Sequence, residues 1–222
     1  MTGTDRPKWW TRIDRAEPGL HPSLYEDFCF YYLQRTNEGY ENPSNQRLIN
    51  LKHDPKEYRN REDVWRYKTE EIAKFGNDVA GWLAAALVPF ELWDNVALVP
   101  MPTSRPSMDE FFDSRLVELC KVAACVDGRA RVENILDVST ETVPAHRGGS
   151  RDVAYLMDNI VVCEPLQPLD IVVLVDDILT SGNHYAASRA RLKECFPSIT
   201  TMGLFLARHR DDVRYAYIDP DR

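Results

Sequence analysis

Ile171-Val-Val-Leu-Val-Asp-Asp-Ile-Leu-Thr-Ser-Gly-Asn-His184 is the stretch from which the rest of the chain is read. Ile171–Val175 is apolar at every position, as expected of a strand covered on both faces in a parallel sheet. Two adjacent acids follow, then a Thr-Ser-Gly turn that opens a helix predicted over Asn183–Phe196. In open α/β sheets, ligands sit beyond the carboxyl ends of the strands, and this loop leaves such an end. Gly182 lets the backbone turn closely around a ligand. The N–H groups at the helix start offer a nest for a phosphate, helped by the hydroxyls of Thr180 and Ser181 and by the helix dipole. Asp176 and Asp177 would repel phosphate and are better suited to neutral hydroxyls. Phosphate at one end and a diol at the other describe a ribose phosphate.

On either side of this stretch, short apolar runs alternate with helical segments. Val96–Val99, Arg131–Val138, Asn159–Cys163 and Thr200–Ala207 read as strands, and Met108–Val126 as a helix. Such alternation implies an α/β domain with right-handed crossovers. Ser139–Asp152 has little to bury and reads as a long mobile loop. The pattern before residue 95 is helical and polar. Pro22–Thr36 is aromatic-rich, Pro43–Lys52 reads as a short helix, and Arg61–Leu87 as a longer one with a break expected at Gly76 or Gly81. Trp65, Phe75 and Trp82 fall near helical spacing, a stripe that packs on a core. The expected division is therefore a helical N-terminal cap over residues 1–94 and an α/β core over 95–222.

Composition sets outer bounds. With 44% hydrophobic and 28% charged residues, the 222-residue chain belongs with ordinary globular proteins. Its formal charge of −8 argues against bulk nucleic-acid binding, though not against a local anion site. No apolar run approaches the length of a membrane span. Cys29, Cys120, Cys125, Cys163 and Cys195 are scattered and form no CxxC pair, which suits thiols in a reducing cytoplasm. His21, His53 and His146 share no metal-ligand spacing, so no protein-bound transition metal is expected.

In the Asp176–His184 segment the chain resembles the type I phosphoribosyltransferases, whose signature is an apolar strand, two acids, two variable residues, a Thr/Ser-rich pair, Gly, any residue and Thr. The resemblance implies a Rossmann-like core with a mostly parallel sheet. It also implies that Asp176 and Asp177 hold the ribose hydroxyls, and that Thr180, Ser181, Gly182, Asn183 and His184 receive the 5-phosphate. His184 departs from the pattern, standing where the family has Thr. Val99-Pro-Met-Pro-Thr-Ser-Arg105 lies where these proteins bind pyrophosphate, which would make Thr103, Ser104 and Arg105 contacts; viewed alone it is equally a Pro-rich loop with a surface arginine. Arg147 and Arg151, hinged by Gly148 and Gly149, lie where the family has a flexible catalytic hood. Within the superfamily the chain is most similar to the ComF-type competence proteins of bacteria, through Trp65-Arg-Tyr-Lys68, the Val99–Pro102 strand end and the arginine loop, though the paired cysteines of a zinc ribbon are missing.

The resemblance implies transfer of a phosphoribosyl group from phosphoribosyl pyrophosphate with release of pyrophosphate, and magnesium carried mainly by the substrate. Asp176, Asp177, Arg147 and Arg151 would be catalytic, and the compartment cytoplasmic. A protein partner or homodimer is compatible with it. The competing reading is a non-catalytic module that senses a ribose phosphate or nucleotide, or an interaction protein linked to DNA uptake or foreign-DNA handling. Two further segments lie beyond the core motifs: Arg208-His-Arg210 reads as a solvated charged end in preference to a group facing the site from its rim, and Tyr215-Ala-Tyr217 as an edge strand or docked tail.

Overall fold

The computed structural model describes residues 10–16, 24, 27–35, 41–87, 96–141 and 152–209. Its strands are β1 (Thr11–Arg12), β2 (Phe28–Arg35), β3 (Val96–Pro100), β4 (Arg131–Val132), β5 (Leu136–Val138), β6 (Ile160–Val162), β7 (Ile171–Leu179) and β8 (Thr200–His209). The helices are α1 (Ile13–Ala16), α2 (Pro43–Leu51), α3 (Pro55–Tyr58), α4 (Glu62–Leu87), α5 (Arg115–Asp127), α6 (Val153–Asn159) and α7 (Asn183–Cys195). The main sheet runs β1-β2-β8-β7-β3-β4. Every pairing from β2 to β4 is parallel, and only β1 is antiparallel to its neighbour. The fold is α/β with a mostly parallel sheet.

The apolar run of β7 is buried on both faces, as its sequence predicts. Ile171, Val173 and Val175 pack with Leu48 and Leu51 of α2, Phe75, Val79 and Leu83 of α4, and Leu116 and Leu119 of α5. Val172 and Leu174 face the other way, into a second core with Tyr185, Ala187 and Leu192 of α7. Fully burying one such aliphatic side chain stabilises the fold by about 1.5–3 kcal/mol. The two layers explain why no polar residue interrupts the run before Asp176.

Four sequence expectations change. Phe28–Arg35 is a strand, not part of a helical cap, and pairs in parallel with β8 from Phe28↔Met202 to Arg35↔His209. Cys29, Tyr31 and Leu33 are buried in alternation, the period-two pattern of a strand. Residues before 95 thus share a sheet with residues after it, and apart from the single turn of α1 the described helices of that region begin at Pro43. Arg131–Val138 is not one strand: β4 joins the main sheet, whereas β5 pairs with β6 in a separate antiparallel ladder. Helix α5 starts at Arg115 rather than near Met108, because Asp109 and Asp113 hydrogen-bond the backbone N–H groups of Phe111 and Arg115 and offer that segment an alternative to helix. Finally, α4 is continuous through Gly76 and Gly81. At Gly76 a Cβ would lie 2.5 Å from Val122 Cγ1, so this glycine allows α4 to approach α5.

Candidate functional site

From β3 the chain crosses through α5 to β4, and from β7 it crosses through α7 to β8. The two strands are neighbours, and their helices lie on opposite faces of the sheet. Their loops therefore diverge and leave a crevice at the carboxyl edge, the topological switch point where open α/β sheets bind ligands. Asp176 and Asp177 stand at this point on β7. Thr103, Ser104 and Arg105 follow β3, whose last residue Pro100 pairs with Val175.

The two acids are not equivalent. Asp177 faces the α2 and α5 side and is buried; its Oδ2 accepts from Arg115 Nε at 3.1 Å and pairs with Lys52 Nζ at 3.1 Å. Arg115 also binds Asp113 at 2.6 Å, and Asp113 binds the fully buried Lys68 at 2.7 Å. A continuous chain of charges results: Lys52, Asp177, Arg115, Asp113, Lys68. Burial alone would raise the Asp177 carboxyl, but the charges and hydrogen bonds of Lys52 and Arg115 outweigh it and hold the group well below the usual carboxylate range. At the other end, burial pushes the Lys68 ammonium down to about 8, against the opposing pull of Asp113. Lys68 also donates to the carbonyl of His53 at 2.7 Å and lies over the Trp65 ring.

Lys52 is held by local structure. Asn42 caps α2 by accepting from the N–H groups of Ser44 and Asn45, with Pro43 at the first turn. The helix ends at Lys52, whose N–H bonds Leu48 O at 3.0 Å. A cation at this end also suits the helix dipole.

Asp176 points to the other face. Its Oδ1 accepts from the Asp177 N–H at 2.8 Å, and its Oδ2 stands 3.8 Å from His184 Nδ1. Of the two acids it is the one that pairs with no lysine or arginine among the described residues.

Beyond it, Gly182 has φ +83°, a left-handed conformation that a Cβ would strain, and a side chain there would meet Leu24 Cδ1 at 3.3 Å. Ser181 Oγ accepts from the Asn183 N–H, and the Ala186 N–H bonds Gly182 O as α7 begins. Thr180 is exposed; Ser181, Asn183 and His184 are half-buried.

Arg208 corrects the sequence reading most sharply. It is buried, not a solvated strand end, and its Nη1 donates to the carbonyls of Leu179 at 3.1 Å, Thr180 at 2.9 Å and His209 at 2.5 Å. In a trans peptide, C=O and N–H point to opposite sides. With the carbonyl of Thr180 turned inward to Arg208, the N–H of Ser181 is turned away from it, toward the side on which Thr180 is exposed. The guanidinium thus shapes the loop into a set of outward donors, an arrangement able to meet an anion.

The β3 side is arranged differently. Arg105 pairs with Asp54 at 3.2 Å and Glu141 at 3.3 Å, and donates to Phe111 O at 3.1 Å. Thr103 Oγ1 donates to Arg105 O at 3.2 Å, and Ser104 is half-buried on the same loop. Arg147 and Arg151, with the hinge glycines, lie outside the described residues, as does Tyr215-Ala-Tyr217.

Sequence reasoning missed Lys52, Asp113 and Arg115, and it named Lys68 only within the Trp65-Arg-Tyr-Lys68 element. It also missed Asp27, whose Oδ2 accepts from Tyr185 OH at 2.7 Å and Thr201 Oγ1 at 2.9 Å and so ties α7 to the sheet. Among the described residues, no cluster of three His, Cys, Asp or Glu side chains has metal-holding geometry, and no helix is long and apolar enough to cross a membrane.

No described protein family and no curated protein matches this sequence. Solved structures that match part of the chain include hypoxanthine phosphoribosyltransferases. That from Staphylococcus aureus is 13% identical with a TM-score of 0.38, over 66% of this chain and 70% of its own. A mutant of the Trypanosoma cruzi enzyme, in a ternary substrates complex, is 15% identical with a TM-score of 0.40, over 67% and 73%. The hypoxanthine-guanine enzyme of L. donovani is 15% identical with a TM-score of 0.38, over 62% and 71%.

Proposed function

We propose that the crevice between β3 and β7 binds the ribose 5-phosphate part of phosphoribosyl pyrophosphate or of a nucleoside monophosphate, and that the chain acts as a phosphoribosyltransferase of the type I class. The observation that carries this reading is the loop after β7. One strand-turn-helix unit offers a carboxylate at Asp176 and, two peptide planes beyond Leu179, an N–H at Ser181 that Arg208 turns outward. The 5-phosphate sits on the Thr180–His184 loop, with hydrogen bonds from the backbone and from the side chains of Thr180, Ser181, Asn183 and His184. Asp176 receives the ribose hydroxyls and stabilises positive character at the sugar as pyrophosphate departs. Asp177, already neutralised by Lys52 and Arg115, fixes the strand end beneath it.

Magnesium enters this scheme with the substrate, held mainly by diphosphate and ribose oxygens. The donor set fits that role: Asp176 presents one carboxylate to the crevice and no protein cage is required. The role that the resemblance gives to Arg147 and Arg151, neutralising the departing pyrophosphate, belongs to the same proposal. The ComF-type likeness belongs to the same proposal, and Lys68 of its Trp65-Arg-Tyr-Lys68 element is the buried end of the charge chain.

The test is calorimetric titration with ribose 5-phosphate, with phosphoribosyl pyrophosphate plus magnesium, and with nucleoside monophosphates. Binding that Asp176→Asn abolishes in a folded protein supports the reading. No binding of any of the three overturns it, and binding without pyrophosphate release for any acceptor tried would reduce the activity to ligand sensing.

A further inference from the structure

Lys52 belongs to a segment with no assigned role, yet its ammonium lies at the motif itself. Its ion-pair chain holds three cations (Lys52, Arg115, Lys68) and two acids (Asp177, Asp113), which leaves one net positive charge. Two members of the chain fix where that charge is available. Lys68 is sealed, with 2% of its side chain exposed, and Arg115 is shared between two carboxylates. Lys52, at 36% exposure, is the end that reaches solvent. The Arg105 group has the opposite balance: one cation between Asp54 and Glu141 leaves one net negative charge.

Position agrees with charge. The Thr180–His184 loop leads into α7 on one face of the sheet, whereas Lys52 approaches Asp177 from the α2 and α5 face. Lys52 is also two residues from Asp54, which binds Arg105 of the loop after β3. Lys52 thus stands across the strand end from the Thr180–His184 loop, with Asp176 and Asp177 between them.

Resting on the ribose-phosphate reading above, we propose that Lys52 is a ligand-contacting residue that binds the diphosphate end of the substrate, in the place that the sequence gives to Arg105. On binding, the ammonium exchanges part of its contact with Asp177 for phosphate oxygens. Asp177 stays neutralised by Arg115, so the exchange leaves no buried charge bare.

The experiment compares wild type, Lys52→Met, Lys52→Arg and Arg105→Met for binding of inorganic pyrophosphate with magnesium, of phosphoribosyl pyrophosphate with magnesium, and of ribose 5-phosphate. Melting curves establish that each variant is folded. Lys52→Met should weaken both diphosphate ligands by about tenfold or more, since a charge-assisted contact to phosphate is lost, and leave ribose 5-phosphate within about twofold. Lys52→Arg should restore most of the loss, and the salt dependence of diphosphate binding should be shallower in Lys52→Met. A purely structural role would move all three ligands together, and that result overturns the proposal. So does an unchanged diphosphate affinity in Lys52→Met, or a loss confined to Arg105→Met, while ribose 5-phosphate still binds wild type. Failure of ribose 5-phosphate to bind wild type overturns the underlying reading instead.

Discussion

The loops after β7 and β3 leave adjacent strands at the same edge of one sheet, but they handle charge in opposite ways. At the β7 end, the side chains of Asp177, Arg115 and Arg208 are largely enclosed and shared: Arg115 bridges Asp177 and Asp113, and Arg208 gathers three carbonyls. At the β3 end, Arg105 lies between Asp54 and Glu141, whose side chains are 35% and 64% exposed. Water screens the second group and hardly reaches the first. The difference teaches that a charged residue at a strand end has no fixed meaning. Its burial decides whether it is part of the framework or part of the surface.

The sharpest way to break the comparison is Arg115→Ala, which leaves Asp177 and Asp113 with less compensation in the interior. Removing one partner of a buried pair costs about 3–5 kcal/mol, to be read from urea denaturation. The same pairing has a pH signature. Because Asp177 in the folded protein titrates below the ordinary aspartate value of 3.8, its stabilisation is complete above that pH and is lost as the pH falls beneath it. Asp177→Asn should therefore flatten the acid limb of a stability-against-pH curve; an unchanged limb would show that the pairing does not operate in solution.

Arg208→Met comes next, at about 2–3 kcal/mol, because inward carbonyls lose their donor. It should also weaken ribose 5-phosphate binding, whereas a stability loss with unaltered affinity would separate the loop's shape from its function. Gly182→Ala should cost about 1–2 kcal/mol through the left-handed backbone and weaken phosphate binding with it. Calorimetry on the folded variant checks the second part. Smallest is Arg105→Met, expected at under about 1 kcal/mol because its pairs are partly solvated. A loss as large as that of Arg115→Ala would erase the distinction between the two loops.

How much of this was legible in the sequence follows from the range of the forces involved. β7 was readable because burial on both faces leaves its mark on every residue from Ile171 to Val175. The turn at Gly182 was readable because one residue type meets that backbone need. β2 carried a strand pattern at Cys29, Tyr31 and Leu33, but its aromatic residues sit beside long helices and were absorbed into them. The ion pairs left no mark at all. Arg115 and Asp177 are 62 positions apart, and neither has a neighbour that betrays the other. Arg208 misled because a charged residue closing an apolar strand ordinarily faces water, and only the carbonyls of Leu179 and Thr180 make its burial favourable.

The strand that was misread also bears on how the protein is made. β2 takes its place between β1 and β8, and the Asp27–Thr201 contact at its start joins residues 174 positions apart. At a synthesis rate of about 5–20 residues per second, roughly 9 to 35 seconds separate the two partners on the ribosome. During that interval Phe28–Arg35 is an aromatic-rich segment without its parallel neighbour, and such non-local pairing is slow to form even in a complete chain. The nascent chain must keep this segment from wrong partners until β8 emerges, so a strand synthesised late governs when an early one is safe.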